Sequence, residues 1–149
     1  MKPFPTAAEI AMHAKIVPLT ETLAVASQIT AGDIAEIAAL GYRTLINNRP
    51  DGEEPDQLSA AEARAAAEAA GIAYHYLPFT AGTLTEADIA AFDALLRAAD
   101  GPVLAHCRSG TRCCLIWSAI QLKEGGSADA LIAGGAAKGF EISALKRFA

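Results

Sequence analysis

A recurring helix-start pattern is the feature of this chain that most limits its fold. A Ser or Thr is followed three positions later by an acidic residue, and the apolar-periodic run that comes next often closes at a glycine. The pairs are Thr30 with Asp33, Ser59 with Glu62 and Thr85 with Asp88. Each pair is a capping box, in which two side chains satisfy free N–H groups at the start of a helix. We therefore predict helices after these three positions, and a last helix after Ser127.

Short apolar runs separate the predicted helices. Residues 42–47, 72–77 and 103–105 have the length and apolar character of buried strands. Strands that alternate with helices of this length predict an α/β fold, with a central, mainly parallel sheet flanked by helices. The chain has 149 residues, of which 52% are hydrophobic, and this is enough material for one core. We predict a single domain over residues 1–149.

Charge and cysteine content argue against several classes of protein. The net charge is -5 and the basic residues are scattered, so nucleic acid is not an expected partner. The longest apolar stretch, residues 113–122, is about half of what a membrane-spanning helix needs. The first residues lack the apolar core of a secretion signal, and we predict a cytoplasmic protein. The three cysteines are odd in number and lack metal-ligand spacing, so we expect no disulfide framework, metal or cofactor.

The chemistry is predicted to lie in a polar loop, residues 106–112, between the strand at 103–105 and a helix from about residue 113 to residue 123. A strand, a Gly-containing loop and a helix in this order direct backbone N–H groups and the positive end of the helix dipole at one point, where an anion binds. Cys107 opens the loop, so these donors and the neighbouring guanidinium groups favour its thiolate. Cys107 is the predicted nucleophile.

The other loop residues have supporting roles in this prediction. Gly110 gives the backbone freedom to turn its amides inward, and Arg112 offers a planar fork to two oxygens of an anion. His106 is expected to lie behind Cys107 and to orient or polarise it. The anion-binding loop is completed by Arg108, Ser109, Gly110 and Thr111.

The loop resembles the signature of cysteine-dependent phosphatases and rhodaneses. The whole chain, over about residues 19–145, resembles the beta-lactamase hydrolase-like protein, phosphatase-like domain family. The runs that carry the resemblance are residues 28–30, 46–53, 76–78 and 105–112. The family implies a fold like that of dual-specificity phosphatases, and its members are described either as phosphatases or as sulfur transferases.

Two departures from the phosphatase pattern favour sulfur transfer at this stage. Four residues separate Cys107 from Arg112, whereas tyrosine phosphatases have five, and the shorter loop resembles that of a rhodanese. Residues 79–83, where a phosphatase carries its general acid, contain no carboxylate, and Glu86 and Asp88 are explained by the start of a helix. We predict transfer of sulfane sulfur from thiosulfate or glutathione persulfide through a Cys107 persulfide, with a small thiol or cyanide as acceptor.

Two alternatives remain open beside sulfur transfer. The first is hydrolysis of a phosphomonoester through a phosphocysteine on Cys107, with Glu86, Asp88 or water as the acid. The second is an inactive module that only binds a small sulfur- or phosphate-containing anion.

Three further residues have two interpretations each. Cys113 stands where phosphatases have a Ser or Thr, and it is either a resolving thiol or a small buried residue. Arg49 and Asp51 match the family and either line the anion pocket or belong to a turn with Pro50 and Gly52.

Overall fold

The computed structural model describes residues 14–149, which form one α/β domain around a five-stranded sheet. The strands are β1 (Ile16–Pro18), β2 (Leu23–Ala26), β3 (Thr44–Asn47), β4 (Ala73–Tyr76) and β5 (Val103–His106). The helices are α1 (Ala31–Ala39), α2 (Ala60–Ala70), α3 (Glu86–Ala98), α4 (Thr111–Lys123) and α5 (Ala128–Ala137), with short 3-10 helices at Ala81–Thr83 and Ser143–Phe148. The predicted fold class is confirmed.

The strand order is β1-β2-β5-β3-β4, so β5 lies at the centre of the sheet. All neighbouring strands are parallel except β1, which pairs with β2 in the antiparallel sense. His106 at the end of β5 is aligned with Ala26 on β2 and with Asn47 on β3. The chain segments that leave these three strands therefore meet at one edge of the sheet, as expected for the carboxyl ends of parallel strands.

The core has two layers, one on each face of the sheet. Alternate residues of β5 point to opposite faces, so Leu104 packs with α1 and α2 while Val103 and Ala105 pack with α3 and α4. Phe92 and Ile116 are fully buried in the second layer. Because both faces are covered, β2, β3 and β5 are buried at every position and are mostly apolar, whereas β4 at the edge is only partly buried.

The predicted helix starts are confirmed in detail. Thr30, Ser59 and Thr85 each accept a hydrogen bond from the N–H three residues later, and the acidic partner side chains complete all three capping boxes. Gly71 ends α2 in the left-handed conformation, with φ 75°. The predicted strands at residues 42–47 and 72–77 are each shorter in the structure.

The sequence prediction missed the β1–β2 hairpin and placed the start of α4 about two residues too late. The β1–β2 hairpin was not predicted, because each strand is only three or four residues long; a hydrogen bond of 2.9 Å from the Leu23 N–H to Thr20 Oγ1 closes its turn. Helix α4 begins at Thr111 rather than near residue 113.

No helix among residues 14–149 combines the length and the apolar character that crossing a lipid bilayer requires. The N-terminal residues used for the cytoplasmic prediction lie outside the described range.

Replacement of a buried and an exposed residue at the same end of α1 tests the layer that this helix forms. Ile37 is fully buried and Leu40 is 37% exposed. We expect Ile37→Ala to lower the free energy of unfolding by about 2–5 kcal/mol through the cavity it leaves. Leu40→Ala should change it by about 0.5 kcal/mol or less. Urea denaturation of both variants measures the difference, and equal losses would contradict the packing described.

Candidate active site

Cys107 directly follows β5 and lies between the segments that leave β2 and β3. Its N–H donates to the Ala26 carbonyl at 3.3 Å, and the Asn48 N–H donates to the His106 carbonyl at 2.8 Å. These bonds continue the sheet pairing past the ends of the strands and fix the start of the loop from both sides. The Cys107 side chain is fully buried at the point where the loop turns into α4.

The Cys107 sulfur is surrounded by hydrogen-bond donors. The Gly110 N–H donates to Sγ at 3.0 Å. The pKa of Cys107 is lowered to about 5, chiefly by a hydrogen bond from the Cys113 side chain; burial opposes this effect, and the backbone N–H groups of Cys113, Ser109 and Gly110 reinforce it. An ordinary cysteine has a pKa above 7 and is mostly protonated at neutral pH. Because the lowered pKa of Cys107 lies below 7, its surroundings favour the thiolate at neutral pH. The predicted ionisation of this residue agrees with the geometry.

Cys113 is the protonated partner of that thiolate. It is fully buried, and burial, followed by its hydrogen bond to Cys107, raises its pKa well above the ordinary value. The negative charge therefore resides on Cys107, and Cys113 keeps its S–H as a donor. The two sequence interpretations of Cys113, a resolving thiol and a small buried residue, did not include this role as a hydrogen-bond donor.

Gly110 is required by the backbone and by the packing. It is the N-cap of α4 with φ 97°, a left-handed conformation that residues with a side chain rarely adopt. A Cβ at this position would lie 2.9 Å and 3.1 Å from two ring carbons of Phe140. The early left-handed turn allows α4 to begin at Thr111, which directs the free N–H groups of its first turn at the sulfur.

Arg112 forms a two-pronged ion pair with Glu53. Its terminal nitrogens lie 2.9 Å from Glu53 Oε1 and 2.9 Å from Oε2, and Nη1 also donates to the Phe79 carbonyl at 3.3 Å. The Arg112 pair and, to a smaller degree, Arg49 lower the pKa of Glu53 to about 2, although burial opposes them. Glu53 is thus ionised and occupies the fork that was predicted to hold an anion. Sequence reasoning did not single out this residue, although it lies within the run that matches the family.

Arg49 and Asp51 have different surroundings. The Arg49 side chain is only 2% exposed; its Nε donates to Glu53 Oε1 at 2.8 Å and its Nη1 donates to Gln28 Oε1 at 3.0 Å. It therefore belongs to the same charged network as Arg112. Asp51 instead accepts a hydrogen bond of 2.8 Å from the Ala60 N–H, at the start of α2. The structure brings Arg49 to the loop and directs Asp51 to that helix.

The side chains of Arg108, Ser109 and Thr111 contact groups other than the sulfur, whereas Arg112 also interacts with Cys107. The Arg108 side chain is 70% exposed and lies 3.2 Å from Glu54, and the Ser109 and Thr111 hydroxyl groups are 3.0 Å from each other. Ser109 and Gly110 contact the thiolate through their backbone N–H groups, and the predicted role of the Arg108, Ser109 and Thr111 side chains in binding an anion stays a prediction.

His106 is buried behind the loop as a neutral imidazole. Burial lowers its pKa to about 4, and its Nδ1 lies 3.4 Å from the Cys107 carbonyl oxygen. Its Nε2 has no hydrogen-bond partner among residues 14–149. The ring therefore contacts the backbone of the nucleophile, and no hydrogen bond joins it to the sulfur. Its predicted role in orienting Cys107 stays a prediction.

Residues 79–83, the segment that carries the general acid in phosphatases, contain no carboxylate. Phe79 is buried and its carbonyl accepts from Arg112. Glu86 forms an ion pair with Lys123, and Asp88 accepts from the Thr85 N–H at 3.0 Å. Both acids serve the first turn of α3, as the sequence pattern indicated.

A buried thiolate at the start of a helix, at the carboxyl edge of this sheet, defines a protein of the cysteine-phosphatase fold. The chain belongs to the family described as beta-lactamase hydrolase-like protein, phosphatase-like domain, whose model matches residues 15–124. A beta-lactamase hydrolase-like protein of Xylella fastidiosa is 40% identical over 129 residues, which are 86% of this chain and 30% of that protein. The chain thus spans less than a third of this curated relative.

Two solved structures extend the comparison. A candidate phosphatase from Neisseria meningitidis is 38% identical, with a TM-score of 0.80 over 89% of this chain and 95% of that one. TpbA from P. aeruginosa, in a Cys-to-Ser form in complex with phosphotyrosine, is 22% identical, with a TM-score of 0.60 over 78% of this chain and 68% of that one. The second likeness shows the fold alone. The family resemblance seen in the sequence is confirmed.

Removal of the Cys113 thiol tests its role as a donor. Cys113→Ala is expected to raise the pKa of Cys107 from about 5, by about one unit, because the thiolate loses a hydrogen bond that favours the charged form. Cys113→Ser should leave the pKa unchanged or lower it, because the hydroxyl is a stronger donor than the thiol that it replaces. Titration of the ultraviolet thiolate absorbance, corrected with Cys107→Ser, measures the shift. Cys114→Ala, at the next position on α4, is the matched control, and an equal shift in that variant would contradict the assignment.

Loss of the Glu53 carboxylate should alter stability in a pH-dependent way. The folded-state pKa of Glu53, about 2, lies below its ordinary value of 4.5. Its contribution is therefore present above about pH 4.5 and is lost as the pH falls toward 2. We expect Glu53→Gln to be less stable than the parent at neutral pH, with a gap that closes over this range. Denaturation at a series of pH values checks this, and Glu68→Gln, an exposed change on α2, should show no closing gap.

Proposed function

We propose that this domain hydrolyses phosphomonoesters through a phosphocysteine on Cys107. The observation that carries the proposal is the Cys107 thiolate, which accepts the Gly110 N–H at 3.0 Å at the start of α4. A thiolate with free N–H donors around it is suited to attack an electrophilic centre that bears anionic oxygens. The Neisseria relative, described as a candidate phosphatase and covered over 95% of its length, supports the same chemistry.

The proposed reaction has two steps. Cys107 Sγ attacks phosphorus, the bond from phosphorus to the alcohol oxygen breaks, and the alcohol oxygen takes the electron pair and a proton from water. The hydroxide left by that proton transfer, or a water that gives its proton to this hydroxide, then attacks the phosphocysteine; the sulfur–phosphorus bond breaks, hydrogen phosphate leaves and sulfur recovers its electron pair as a thiolate. The N–H groups of the loop hold the non-bridging oxygens in both steps, and the Cys113 S–H stabilises the thiolate that returns.

Arg112 participates only if its bond to Glu53 changes. In the structure the carboxylate occupies both prongs of the guanidinium. A phosphoryl group is a stronger acceptor with more negative charge, so it can take one prong while Glu53 retains the other and keeps the guanidinium in plane. In this arrangement Glu53 is a positioning residue.

The substrate is expected to have a good leaving group. Residues 79–83 contain no carboxylate, and Glu53 is ionised, so neither offers a proton to the departing oxygen. An aryl oxygen leaves as a comparatively stable anion and depends least on such an acid. We therefore propose aryl phosphates, including phosphotyrosine, as the substrate class; the TpbA complex contains phosphotyrosine in a protein of the same fold.

Sulfur transfer is the second candidate. It is favoured by the four-residue spacing between Cys107 and Arg112 and by the missing acid, since a persulfide exchange needs no proton on an alcohol oxygen. The comparisons support the phosphatase alternative better than this sequence-based first choice. The two chemistries share Cys107 as nucleophile and differ in the group that it carries.

One paired assay distinguishes the candidates. Purified, reduced protein is incubated with p-nitrophenyl phosphate or with thiosulfate, and phosphate release and intact mass are followed. We expect phosphate release that Cys107→Ser abolishes and that Cys114→Ser, the matched control, retains. The acidic limb of the rate should rise with pH through about 5, as Cys107 ionises. Addition of sulfur at Cys107 without phosphate release would replace the proposal by sulfur transfer, and anion binding with neither reaction would indicate a binding module.

A further inference from the structure

A cleft of about 560 Å³ adjoins the active-site loop on the side of Arg108. Arg49, Arg108 and Gln28 form its wall next to the loop, and the Gln28 N–H donates to the Arg108 carbonyl at 3.1 Å. The volume lies within the range of small-ligand sites. Arg108, which follows Cys107 in the chain, lines the cleft, so the part of a substrate that is not transferred can extend into it past the loop.

Two buried polar atoms of residues that line the cleft lack hydrogen-bond partners among residues 14–149. The first is Arg49 Nη2, a donor, which has only an ion pair of 3.4 Å with Glu54. The second is Gln57 Oε1, an acceptor, which is identified as oxygen because the amide nitrogen of the same side chain donates to the Pro50 carbonyl at 2.9 Å. Unsatisfied buried polar groups are costly, so an acceptor at Arg49 Nη2 and a donor at Gln57 Oε1 are both favoured once the side chains that cover these atoms move. A peptide amide has this pair.

The cleft has excess negative charge. Its two arginines are already paired, Arg49 with Glu53 and Glu54, and Arg108 with Glu54. Asp56 and Glu62 add further carboxylates to the lining, and hydrogen bonds from Ser59 lower the pKa of Glu62. A polyanionic substrate, such as an inositol polyphosphate or a nucleotide, meets repulsion here, whereas a cationic side chain is attracted.

Glu54 covers the donor that a ligand would use. One carboxylate oxygen, Oε1, lies 3.4 Å from Arg49 and 3.2 Å from Arg108. The side chain is 44% exposed, so it can move into solvent at little cost. A carbonyl oxygen of a bound peptide can then take its place at Arg49.

We propose that this cleft binds the backbone and a Lys or Arg side chain next to a phosphotyrosine, and that it makes the domain selective for phosphotyrosine in basic peptides. The inference rests on the proposed phosphatase function and specifies its substrate. Selectivity arises in binding rather than in the chemical step, because the cleft contacts the part of the substrate that does not react.

Kinetics with three substrates test the proposal. They are p-nitrophenyl phosphate, a phosphotyrosine peptide flanked by Lys and the same peptide flanked by Glu. At low salt we expect kcat/KM for the Lys peptide to exceed that for the Glu peptide by about fivefold per matched charge, mostly through KM, with a smaller ratio as salt is added. Asp56→Asn should reduce the ratio and Asp56→Lys should invert it. Glu68→Gln, which removes a carboxylate outside the cleft, should leave the ratio of kcat/KM for the two peptides unchanged.

The outcomes separate this inference from the proposed function. Equal values for the two peptides, or preference for the Glu peptide, in a protein that hydrolyses p-nitrophenyl phosphate would overturn the cleft and leave the phosphatase intact. Without turnover of any phosphate the phosphatase proposal fails, and calorimetric binding of both peptides to Cys107→Ser decides the cleft. Tighter binding of the Lys peptide supports it, and equal affinity overturns it.

Discussion

A negative charge on a fully buried sulfur is the constraint on which this architecture depends. Burial alone would keep Cys107 protonated, so the fold must bring donors to it, and they are the Gly110 N–H, the Cys113 S–H and the first turn of α4. This geometry requires that the helix begin at Thr111, four residues after Cys107, which the left-handed Gly110 allows. The Phe140 ring against that glycine joins the loop to the C-terminal part of the domain.

The cations around the thiolate are balanced before any substrate arrives. Arg112 and Arg49 share Glu53, and Arg49 and Arg108 share Glu54, so the site is a chain of alternating charges rather than an open positive pocket. An incoming anion exchanges partners with a carboxylate instead of meeting a bare guanidinium. The ion pair that the anion breaks offsets much of the Coulomb energy that its own binding gains. Such a site therefore discriminates between anions by their geometry and by the number of oxygens that it can hydrogen-bond, more than by their charge alone.

Local patterns in the sequence were sufficient for most of the fold and for the loop, and long-range partners were not. Capping boxes, apolar runs and the order of strand, loop and helix involve residues a few positions apart, so Cys107, Gly110 and the helix starts could be predicted. Glu53 lies 59 positions from Arg112, and no spacing rule connects them. The burial of Arg49 could not be predicted either, because a turn at residues 49–52 and a place in the anion pocket account equally well for this part of the sequence. The β1–β2 strands were too short to show a period.

Cys113 places a thiol where phosphatases have a hydroxyl group, and this difference affects both phosphate ester hydrolysis and sulfur transfer. A thiol is a weaker hydrogen-bond donor than a hydroxyl, so it stabilises the neighbouring thiolate less. A less stabilised thiolate is a stronger nucleophile and a poorer leaving group. Formation of the covalent intermediate on Cys107 is therefore favoured over its breakdown, whether the carried group is phosphoryl or sulfur. The missing acid acts in the opposite direction for phosphate esters with poor leaving groups, because it slows formation of the covalent intermediate. It has little effect on substrates whose leaving oxygen departs without a proton, so the site favours these substrates.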